Sequence, residues 1–266
     1  MRVLLAALLL IISLPGQAFS KTGHQLICDM AYQLASEDTR LQIDSLLKHT
    51  AYSGFGPACS WADDIRLQPE FAWSSPHHYV NMRRGDTAVS MEHCPPQGCI
   101  LSAINDMQQR LYNNNSDWQA LLFLAHHLGD LHQPLHVSFL DDLGGNRTAV
   151  YFFGLPNNLH GVWDFALLKQ AGYETEHGSQ TGHTKTTRLL NTISAAQQAS
   201  WQQGDVLSWA NESASLTIDI YQRYRPGMLL GDDYMLLYLD TLEQRLQQAA
   251  VRLALLLDQS LGGTAN

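Results

Sequence analysis

Residues 123–136 combine four histidines and one aspartate with apolar residues that predict a buried helix. His126 and Asp130 stand at positions i and i+4, so a helix places both side chains on one side. Pro134 has to end or bend this helix, and His136 follows, where it can turn toward the same cavity from another direction. A lone buried histidine is usually structural, so the rest of the chain decides between a core helix and a ligand site.

The amino terminus has the three-part layout of a secretory signal peptide. An apolar run over residues 3–14 is too short for the roughly 20 residues of a membrane-spanning helix. Gly16 and Ala18 supply the small residues of a cleavage site. An uncleaved membrane anchor is the alternative. We expect residues 1–18 to be removed and the exported mature chain to begin at Phe19.

We expect a single domain over residues 19–266, because no linker or repeat interrupts them. The formal net charge is −9, and it becomes −10 when Arg2 leaves with the signal peptide. An acidic protein is not expected to bind nucleic acid, unless its acidic groups hold divalent cations that invert the local field.

The chain has four cysteines, an even number that suits an exported protein with disulfide bonds. Cys94 and Cys99 enclose a short loop rich in turn-forming residues, which predicts a disulfide between them. Cys28 and Cys59 would then pair by elimination. A structural zinc site made of cysteines would usually need a second close pair.

Helical periodicity dominates the mature chain and predicts a mostly α architecture, with function carried by loops between helices. Helices are predicted over residues 24–34, 38–47, 100–112, 117–131, 160–170, 187–203, 206–223 and 233–258. Long irregular stretches cover residues 51–76 and 137–158. The second stretch includes a short strand at 148–153, which follows a turn at 142–146.

Ligand-type residues occur in five special settings. These are Gly23-His24 at the start of the first helix, Asp63, Asp64 and Arg66 in a loop at 60–66, His77 and His78 before a strand-like run, the group of His126, Asp130 and His136, and the pair of His160 and Asp164 at the start of a helix. Two His-x-x-x-Asp pairs with further His and Asp residues suit a multinuclear site, in which each cation takes three protein ligands and keeps a position for water. Nitrogen and oxygen ligands without thiolate favour zinc.

The motifs occur in the order Gly-His, Trp-Ala-Asp-x-x-Arg, His-Tyr-Val, His-x-x-x-Asp-x-x-x-Pro-Leu-His, Gly-Gly-Asn and Asn-Leu-His-x-x-Trp-Asp. In this order the chain resembles the type I single-strand-specific zinc nucleases, the family of mung bean nuclease and its fungal relatives. The match extends from Phe19 to Asp164. It implies a single-domain, mostly α multi-helix bundle of the zinc-dependent phospholipase C/nuclease type, with long loops and a short β-hairpin.

The resemblance also implies three zinc ions. One would be held by Asp63, His78, His126 and Asp130, a second by His24, Asp130 and the backbone amine and carbonyl of Phe19, and a third by His136, His160 and Asp164. Asp130 would then bridge a close pair of metals. The remaining Asp64, His77, His127 and His132 are left as supporting or structural groups.

Two consequences concern the amino terminus. The amine of Phe19 exists only after the bond to Ala18 is cut, so we expect maturation to complete the second zinc site. The family usually begins with Trp-Gly, whereas this chain has Phe19-Ser20. Because backbone atoms are the ligands, we expect metal binding to be kept and the packing around the terminus to differ.

By the same resemblance, the protein is an exported endonuclease that hydrolyses single-stranded DNA and RNA to 5′-phosphate products and has 3′-nucleotidase activity. Arg66, Asp63 and Asp130 are the expected catalytic residues. The guanidinium of Arg66 suits a charged phosphate in the transition state. The structural alternative for Arg66 is a salt bridge to Asp64.

Three residues are expected to contact substrate. Tyr79 stands where the family offers an aromatic ring to the base, although a core aromatic is nearly as plausible. Asn81 stands where some members have an aspartate that contacts the base. Asn146 lies in the Gly-Gly-Asn loop and either orients substrate or forms a turn.

Other functions remain open at this point. One is a zinc phospholipase C or another phosphoesterase on the same scaffold, and another is a non-catalytic zinc-binding protein. The Trp61 to Arg66 pattern and the final ligand Asp164 argue against a lipase, whose pattern ends in Glu, and Arg66 argues against the non-catalytic protein. We expect single-stranded DNA, RNA and nucleotides as partners, no stable membrane association, no obligate protein partner, and a secreted or periplasmic location.

Overall fold

A computed structural model describes residues 19–174 and 180–262, and the signal peptide expected at residues 1–18 lies outside the described residues. The α-helices are α1 (Lys21–Leu34), α2 (Glu37–Leu47), α3 (Phe55–Ala58), α4 (Trp61–Ile65), α5 (Ile100–Asn113), α6 (Trp118–His132), α7 (Leu159–Gly161), α8 (Leu167–Gln170), α9 (Gln180–Asn191), α10 (Ala195–Trp201), α11 (Val206–Arg223) and α12 (Asp232–Leu261). The strands are β1 (Val80–Met82), β2 (Val137–Phe139), β3 (Ala149–Phe152), β4 (Leu155–Asn158) and β5 (Leu229–Leu230). The mostly α architecture predicted from the sequence is confirmed.

Helix α6 lies at the centre of the core. Every residue from Ala120 to His132 is buried, as expected for a helix that is apolar around most of its circumference. Asp117 caps the helix, because its carboxylate accepts a hydrogen bond from the backbone N–H of Ala120 at 2.9 Å. Helices α1, α5, α11 and α12 pack around α6. The polar side chains of α6 are therefore out of reach of bulk water and need partners inside the protein.

Pro134 ends α6 as the sequence predicts. Gln133 has an extended backbone with φ −80° and ψ 114°, the conformation that a following proline favours. A 3₁₀ segment, Pro134–His136, leads into β2. Strand β2 pairs in parallel with β1, with Val137 opposite Val80. This pairing brings the 3₁₀ segment before β1, Pro69–His78, to the carboxyl end of α6.

Helices α11 and α12 hold that end of α6 through two buried arginines. Arg245 Nε donates to the carbonyl of His132 at 3.2 Å, and Arg252 Nη1 lies 2.8 Å from His132 Nε2. Glu212 on α11 accepts from Arg245 Nη1 at 2.7 Å and from Arg252 Nη2 at 2.6 Å. Burial and the two guanidinium groups keep the pKa of His132 well below its usual value. The ring of His132 is therefore a neutral acceptor that fixes the end of the helix.

The structure differs from the sequence prediction over residues 51–76 and 187–203. The stretch 51–76 contains α3, α4 and the start of a 3₁₀ segment, so Asp63 lies on a short helix rather than in a loop. Helices this short lack a full amphipathic repeat and leave little periodic signal. The single helix predicted over 187–203 is divided into α9 and α10. Ser194 caps α10 by accepting from the backbone of Gln197 at 3.2 Å, which starts a new helix there.

The strand predicted at 148–153 is the first arm of a β-hairpin. Strands β3 and β4 pair antiparallel, and β5 pairs in parallel with β3. Phe153 and Gly154 form the turn with φ values of 49° and 79°, the positive values that tight hairpin turns require.

Both predicted disulfides are present. Cys28 on α1 is bonded to Cys59 just after α3, and Cys94 is bonded to Cys99 before α5. Disulfides of this kind persist in oxidising compartments. Within residues 19–174 and 180–262, no helix combines the length and the apolar character needed to cross a bilayer.

Candidate metal centre

Two groups of imidazole and carboxylate side chains meet at Asp130. Its Oδ2 lies 2.9 Å from His78 Nδ1 and 3.2 Å from His126 Nε2. Asp63 on α4 completes this group, with its Oδ1 3.8 Å from His126 Nε2 and 3.9 Å from His78 Nδ1. The other carboxylate oxygen, Asp130 Oδ1, lies 3.2 Å from His24 Nε2 on α1. The two oxygens of one carboxylate thus face two different groups, as a bridging ligand requires.

A third group lies beyond Pro134. His160 Nε2 is 3.2 Å from Asp164 Oδ2, and His136 Nε2 is 3.6 Å from Asp164 Oδ1. Asp164 lies in a π-helical turn, Val162–Ala166, and wide turns of this type often occur at functional sites. The i, i+4 pairing seen in the sequence therefore brings both side chains of the pair to one place, and the bend at Pro134 brings His136 to them.

Backbone carbonyls orient three of the histidines. His126 Nδ1 bonds to the carbonyl of Cys59 at 2.8 Å, and His160 Nδ1 bonds to that of Gly144 at 2.8 Å. His136 Nδ1 bonds to a carbonyl just before β1 at 2.6 Å. When Nδ1 donates to a carbonyl, the neutral ring presents the lone pair of Nε2, which is the arrangement common to metal-binding histidines.

The histidines and aspartates of the cluster shift one another's pKa values. Burial disfavours the charged form of His126, but Asp130 and Asp63 raise its pKa to about 9. Burial acts on His136 in the same way, and Asp130 and Asp164 raise its pKa to about 9. Burial alone would raise the pKa of Asp130, but His126 and His136 hold it well below its usual value. Cations therefore stabilise the carboxylates, and a metal would compete with protons for the same nitrogens.

The fit to metal ions can be tested on atoms that are buried and make no hydrogen bond to any described residue. Among these atoms are four that belong to the donor groups, His24 Nε2, Asp63 Oδ1, Asp130 Oδ1 and His136 Nε2. Burying polar atoms without hydrogen bonds costs about 1–3 kcal/mol each, so their convergence needs an explanation. Nitrogen and oxygen donors without thiolate suit zinc. The residues present fit divalent cations bound among them.

The donor atoms fall into four combinations whose members lie within 4.8 Å of one another. They are His24, His126 and Asp130; Asp63, His78 and His126; His78, His127 and Asp130; and His136, His160 and Asp164. Three of the four contain only residues that the sequence assigns as ligands. The exception includes His127, whose ring also stacks on Phe123 with 5.5 Å between ring centroids.

Arg66 lies beside the first group. Its Nη1 is 3.2 Å from Asp63 Oδ1, so its observed ion pair involves Asp63. Asp64 contacts Lys21 Nζ at 2.7 Å and accepts from the hydroxyl of Tyr52 at 3.1 Å. Arg66 also lines a cavity of about 480 Å³ that adjoins the cluster.

The three residues expected to contact substrate all line this cavity, together with His78, His136 and His160. Tyr79 is 43% exposed, so the alternative of a core aromatic is wrong. Asn81 is half-buried on β1. Asn146 makes a turn contact, because its Nδ2 donates to the carbonyl of Leu143 at 2.9 Å, and it also lines the cavity, so its role in orienting substrate stays a prediction.

Phe19 is fully buried next to α1. Its side chain fills the space beside Gly23, where an added Cβ would come within 2.9 Å of Phe19 Cβ. Ser20 N donates to the carbonyl of Asp164 at 2.8 Å. The amino-terminal residues of the described chain are thereby fixed between the helix of His24 and the turn of Asp164, although metal binding by the backbone of Phe19 stays a prediction.

Sequence reasoning passed over two residues of the site. Gln133 is fully buried, and its Nε2 donates to Asp164 Oδ1 at 2.6 Å while its Oε1 accepts from the backbone of Leu135. Arg147 lines the cavity. Two features of the sequence could have pointed to these residues. Gln133 lies between the expected ligands Asp130 and His136, and Arg147 directly follows Asn146.

The sequence is similar to those of known proteins over most of its length. The sequence model of the family described as S1/P1 Nuclease matches residues 19–262. Endonuclease 3 of Arabidopsis thaliana is 32% identical over 259 residues, which cover 87% of this chain and 85% of the relative. Nuclease P1 of Penicillium citrinum is 27% identical, covering 87% of this chain and 94% of the relative. Nuclease S1 of Aspergillus oryzae is 26% identical and covers 89% of each chain.

Proposed function

Since the chain belongs to the S1/P1 nuclease family, we propose that it is an exported endonuclease with three zinc ions that cleaves single-stranded DNA and RNA. The protein is a hydrolase of phosphodiester bonds, and its family depends on zinc. The finer proposal is that its products carry a 5′-phosphate and that it also removes phosphate from 3′-nucleotides.

One observation carries the proposal: the two oxygens of Asp130 face different donor groups at 2.9–3.2 Å. We assign Asp63, His78, His126 and Asp130 to one zinc, His24, Asp130 and the backbone of Phe19 to a second, and His136, His160 and Asp164 to a third. When bound, zinc supplies Lewis acidity and water acidic enough to react near neutral pH. These cations also explain how a chain with a net charge of −9 can bind a polyanion.

The chain's own residues orient the substrate. Arg66 faces the cavity and offers a planar pair of donors to phosphate oxygens, so it stabilises charge that develops in the transition state. Tyr79 presents an exposed ring to the same cavity, where an unpaired base can stack. Bases in a duplex are already stacked and paired, so a site that needs a free base face favours single strands.

The location follows from the disulfides and the expected signal peptide. Cys28–Cys59 and Cys94–Cys99 support an oxidising compartment, where disulfides form and persist. We propose that the mature protein begins at Phe19 and functions in the periplasm or outside the cell. The buried position of Phe19 next to the helix that carries His24 supports a role for its backbone in the second zinc site.

The test compares substrates on one preparation of the mature chain. Single-stranded DNA, single-stranded RNA, duplex DNA, a 3′-nucleotide and lecithin are incubated separately, and product ends are identified by mass spectrometry. We expect hydrolysis of both single strands and of the 3′-nucleotide, with 5′-phosphate ends, and slow cleavage of duplex DNA. Asp130→Asn, purified in parallel, controls for contaminating nucleases and should be inactive.

Each competing function has its own result. Hydrolysis of lecithin without hydrolysis of single-stranded DNA would identify a phospholipase C instead. Zinc binding without hydrolysis of any substrate would leave a zinc-binding protein. Either result would overturn the proposal.

A further inference from the structure

The loop between β2 and β3 lines the cavity with Leu143, Gly144, Asn146 and Arg147. Leu143, Gly144 and Gly145 have consecutive positive φ values of 55°, 64° and 86°. A side chain at Gly144 would place its Cβ 2.6 Å from the carbonyl oxygen of Leu135, so only glycine fits this close approach. The loop therefore has one strongly constrained backbone path.

Asp142 fixes this loop from inside. One carboxylate oxygen accepts from the backbone of Gly145 at 3.1 Å, and the other accepts from the hydroxyl of Thr148 at 2.6 Å. Arg84 Nη2 lies 3.1 Å from the same carboxylate, and the Arg84 guanidinium stacks 4.3 Å from the ring centre of Tyr221. These contacts fix the loop to the residues that surround it.

The loop also belongs to the candidate metal centre. The carbonyl of Gly144 holds His160 Nδ1 at 2.8 Å, and the backbone of Arg147 is tied to the carbonyl of Asp142 at 3.0 Å. Arg147 then lines the cavity together with Arg66. The two arginines belong to different parts of the site, since Arg66 adjoins Asp63 of the first donor group and Arg147 follows the loop that holds the third group.

Arg147 differs from other arginines of the described chain in how its charge is paired. Arg84, Arg110 and Arg188 have side chains that are 41–52% exposed, and they pair with carboxylates at 2.7–2.9 Å. By contrast, in the described part of the chain no ion pair or hydrogen bond holds the exposed guanidinium of Arg147. An unused cation at the wall of a substrate cavity, in a chain of net charge −9, points to an anionic ligand.

We propose that Arg147 binds a second phosphate of the nucleic-acid strand, next along the chain from the phosphate that is hydrolysed. The inference rests on the proposed nuclease function and adds a substrate preference to it. A strand carries one phosphate per nucleotide, and arginine binds phosphate with two parallel hydrogen bonds. A substrate with a single phosphate cannot use this contact. Arg147 therefore selects polynucleotide chains over substrates with one phosphate.

The test compares two thymidine substrates that differ in phosphate number. A dinucleotide with one phosphodiester and no terminal phosphate is compared with a twelve-residue oligothymidylate, using the zinc-loaded wild type and Arg147→Ala. We expect kcat/KM for the long substrate to fall about tenfold, the loss of one charge-assisted contact, and kcat/KM for the dinucleotide to be unchanged. Zinc content should be the same in both proteins.

Salt dependence provides a second readout that does not need hydrolysis. Binding of a phosphorothioate oligothymidylate is followed by fluorescence anisotropy over a range of salt concentrations. Removing one phosphate contact from a single strand should reduce the slope of log affinity against log salt by about 0.7. Arg147→Lys should restore most of the slope because it keeps the charge. Lys48→Ala removes an exposed charge outside the cavity and should leave the slope unchanged.

The outcomes separate this inference from the proposed function. If Arg147→Ala lowers hydrolysis of both substrates equally, or leaves the long substrate and the salt slope unaffected, Arg147 has no second-phosphate role. If the wild type hydrolyses neither substrate but Arg147→Ala still shows the reduced salt slope, the phosphate contact stands and the nuclease proposal fails.

Discussion

At the scale of single residues, Asp130 connects two of the donor groups of the site. It is fully buried and its two oxygens face His24 on one side and His78 with His126 on the other. A buried carboxylate is stable there only with cations around it. Protonated His126 and His136 lower its pKa in the chain alone, and zinc would take over this role.

Arg66 can be separated from the metal ligands by mutation. We expect Arg66→Ala to lower turnover of single-stranded DNA by about 100- to 1,000-fold, the usual loss when one group that stabilises transition-state charge is removed. Arg66→Lys should retain part of the activity because it keeps charge without the planar fork. Zinc per chain, measured by elemental analysis, should be unchanged in both.

Two other results would remove Arg66 from this role. Loss of zinc in Arg66→Ala would mean that the 3.2 Å contact with Asp63 only holds a ligand in place. Unchanged turnover at full zinc content would exclude any part in catalysis.

The role of a residue could be predicted from the sequence when neighbouring residues determine it. His126 with Asp130 and His160 with Asp164 are i, i+4 pairs, so helix geometry alone joins each pair. The use of Arg147 depends on a loop whose path is set by Asp142 within the loop and by Arg84 and Tyr221, which come from two distant parts of the chain. No local pattern carries that information.

At the scale of elements, the site depends on how α6 is held at its carboxyl end. Arg245 and Arg252 are buried on α12 and both bind Glu212 on α11. Ser213 on α11 donates to the carbonyl of Leu131 at 2.5 Å. The helix end that precedes Gln133 and His136 is thus fixed by contacts to two other helices.

Glu212→Gln tests this contact. Both arginines would lose their counter-charge, and we expect the free energy of unfolding to fall by about 2–3 kcal/mol. This is below the usual cost of breaking a fully buried ion pair, because the Glu212 side chain is 40% exposed. The midpoint temperature of thermal unfolding should fall by roughly 5–10 °C. Glu174→Gln, at the exposed pair with Lys169, is the matched control and should shift the midpoint little.

The same variant gives a pH dependence with a definite sign. Burial alone would raise the pKa of Glu212, but Arg252 and Arg245 lower it below its ordinary value of 4.5. Its contribution to stability is therefore complete above pH 4.5 and is lost as the pH falls through the lowered pKa. The difference in the free energy of unfolding between wild type and Glu212→Gln should shrink below pH 4.5. A difference that stays constant down to acid pH would show that the ion pair is not its source.

Element prediction succeeded where a helix has several amphipathic or apolar turns, as in α6, α11 and α12. It failed for α3 and α4, which have too few residues for a periodic pattern. It also joined α9 to α10, because the apolar spacing continues across the break and only the capping box at Ser194 and Gln197 marks it.

At the scale of the whole molecule, maturation and metal binding are linked in our proposal. Phe19 is buried between α1 and the turn that carries Asp164, so one extra residue before it changes the chemistry at that point. A chain beginning at Ala18 has an amide where the mature chain has an amine. We expect it to bind one zinc fewer and to be nearly inactive, by elemental analysis and hydrolysis of single-stranded DNA. Full zinc content and activity in this chain would rule out the role of the Phe19 amine.

The central claim is that hydrolysis of single-stranded DNA depends on three zinc ions held by these groups. The most direct measurement counts zinc per mature chain while a chelator removes it and added zinc restores it, with hydrolysis followed in the same samples. We predict three zinc ions per active chain, loss of hydrolysis as zinc is removed, and recovery when zinc returns. Hydrolysis that persists after the zinc is gone, or full activity with fewer than three ions, would contradict the claim.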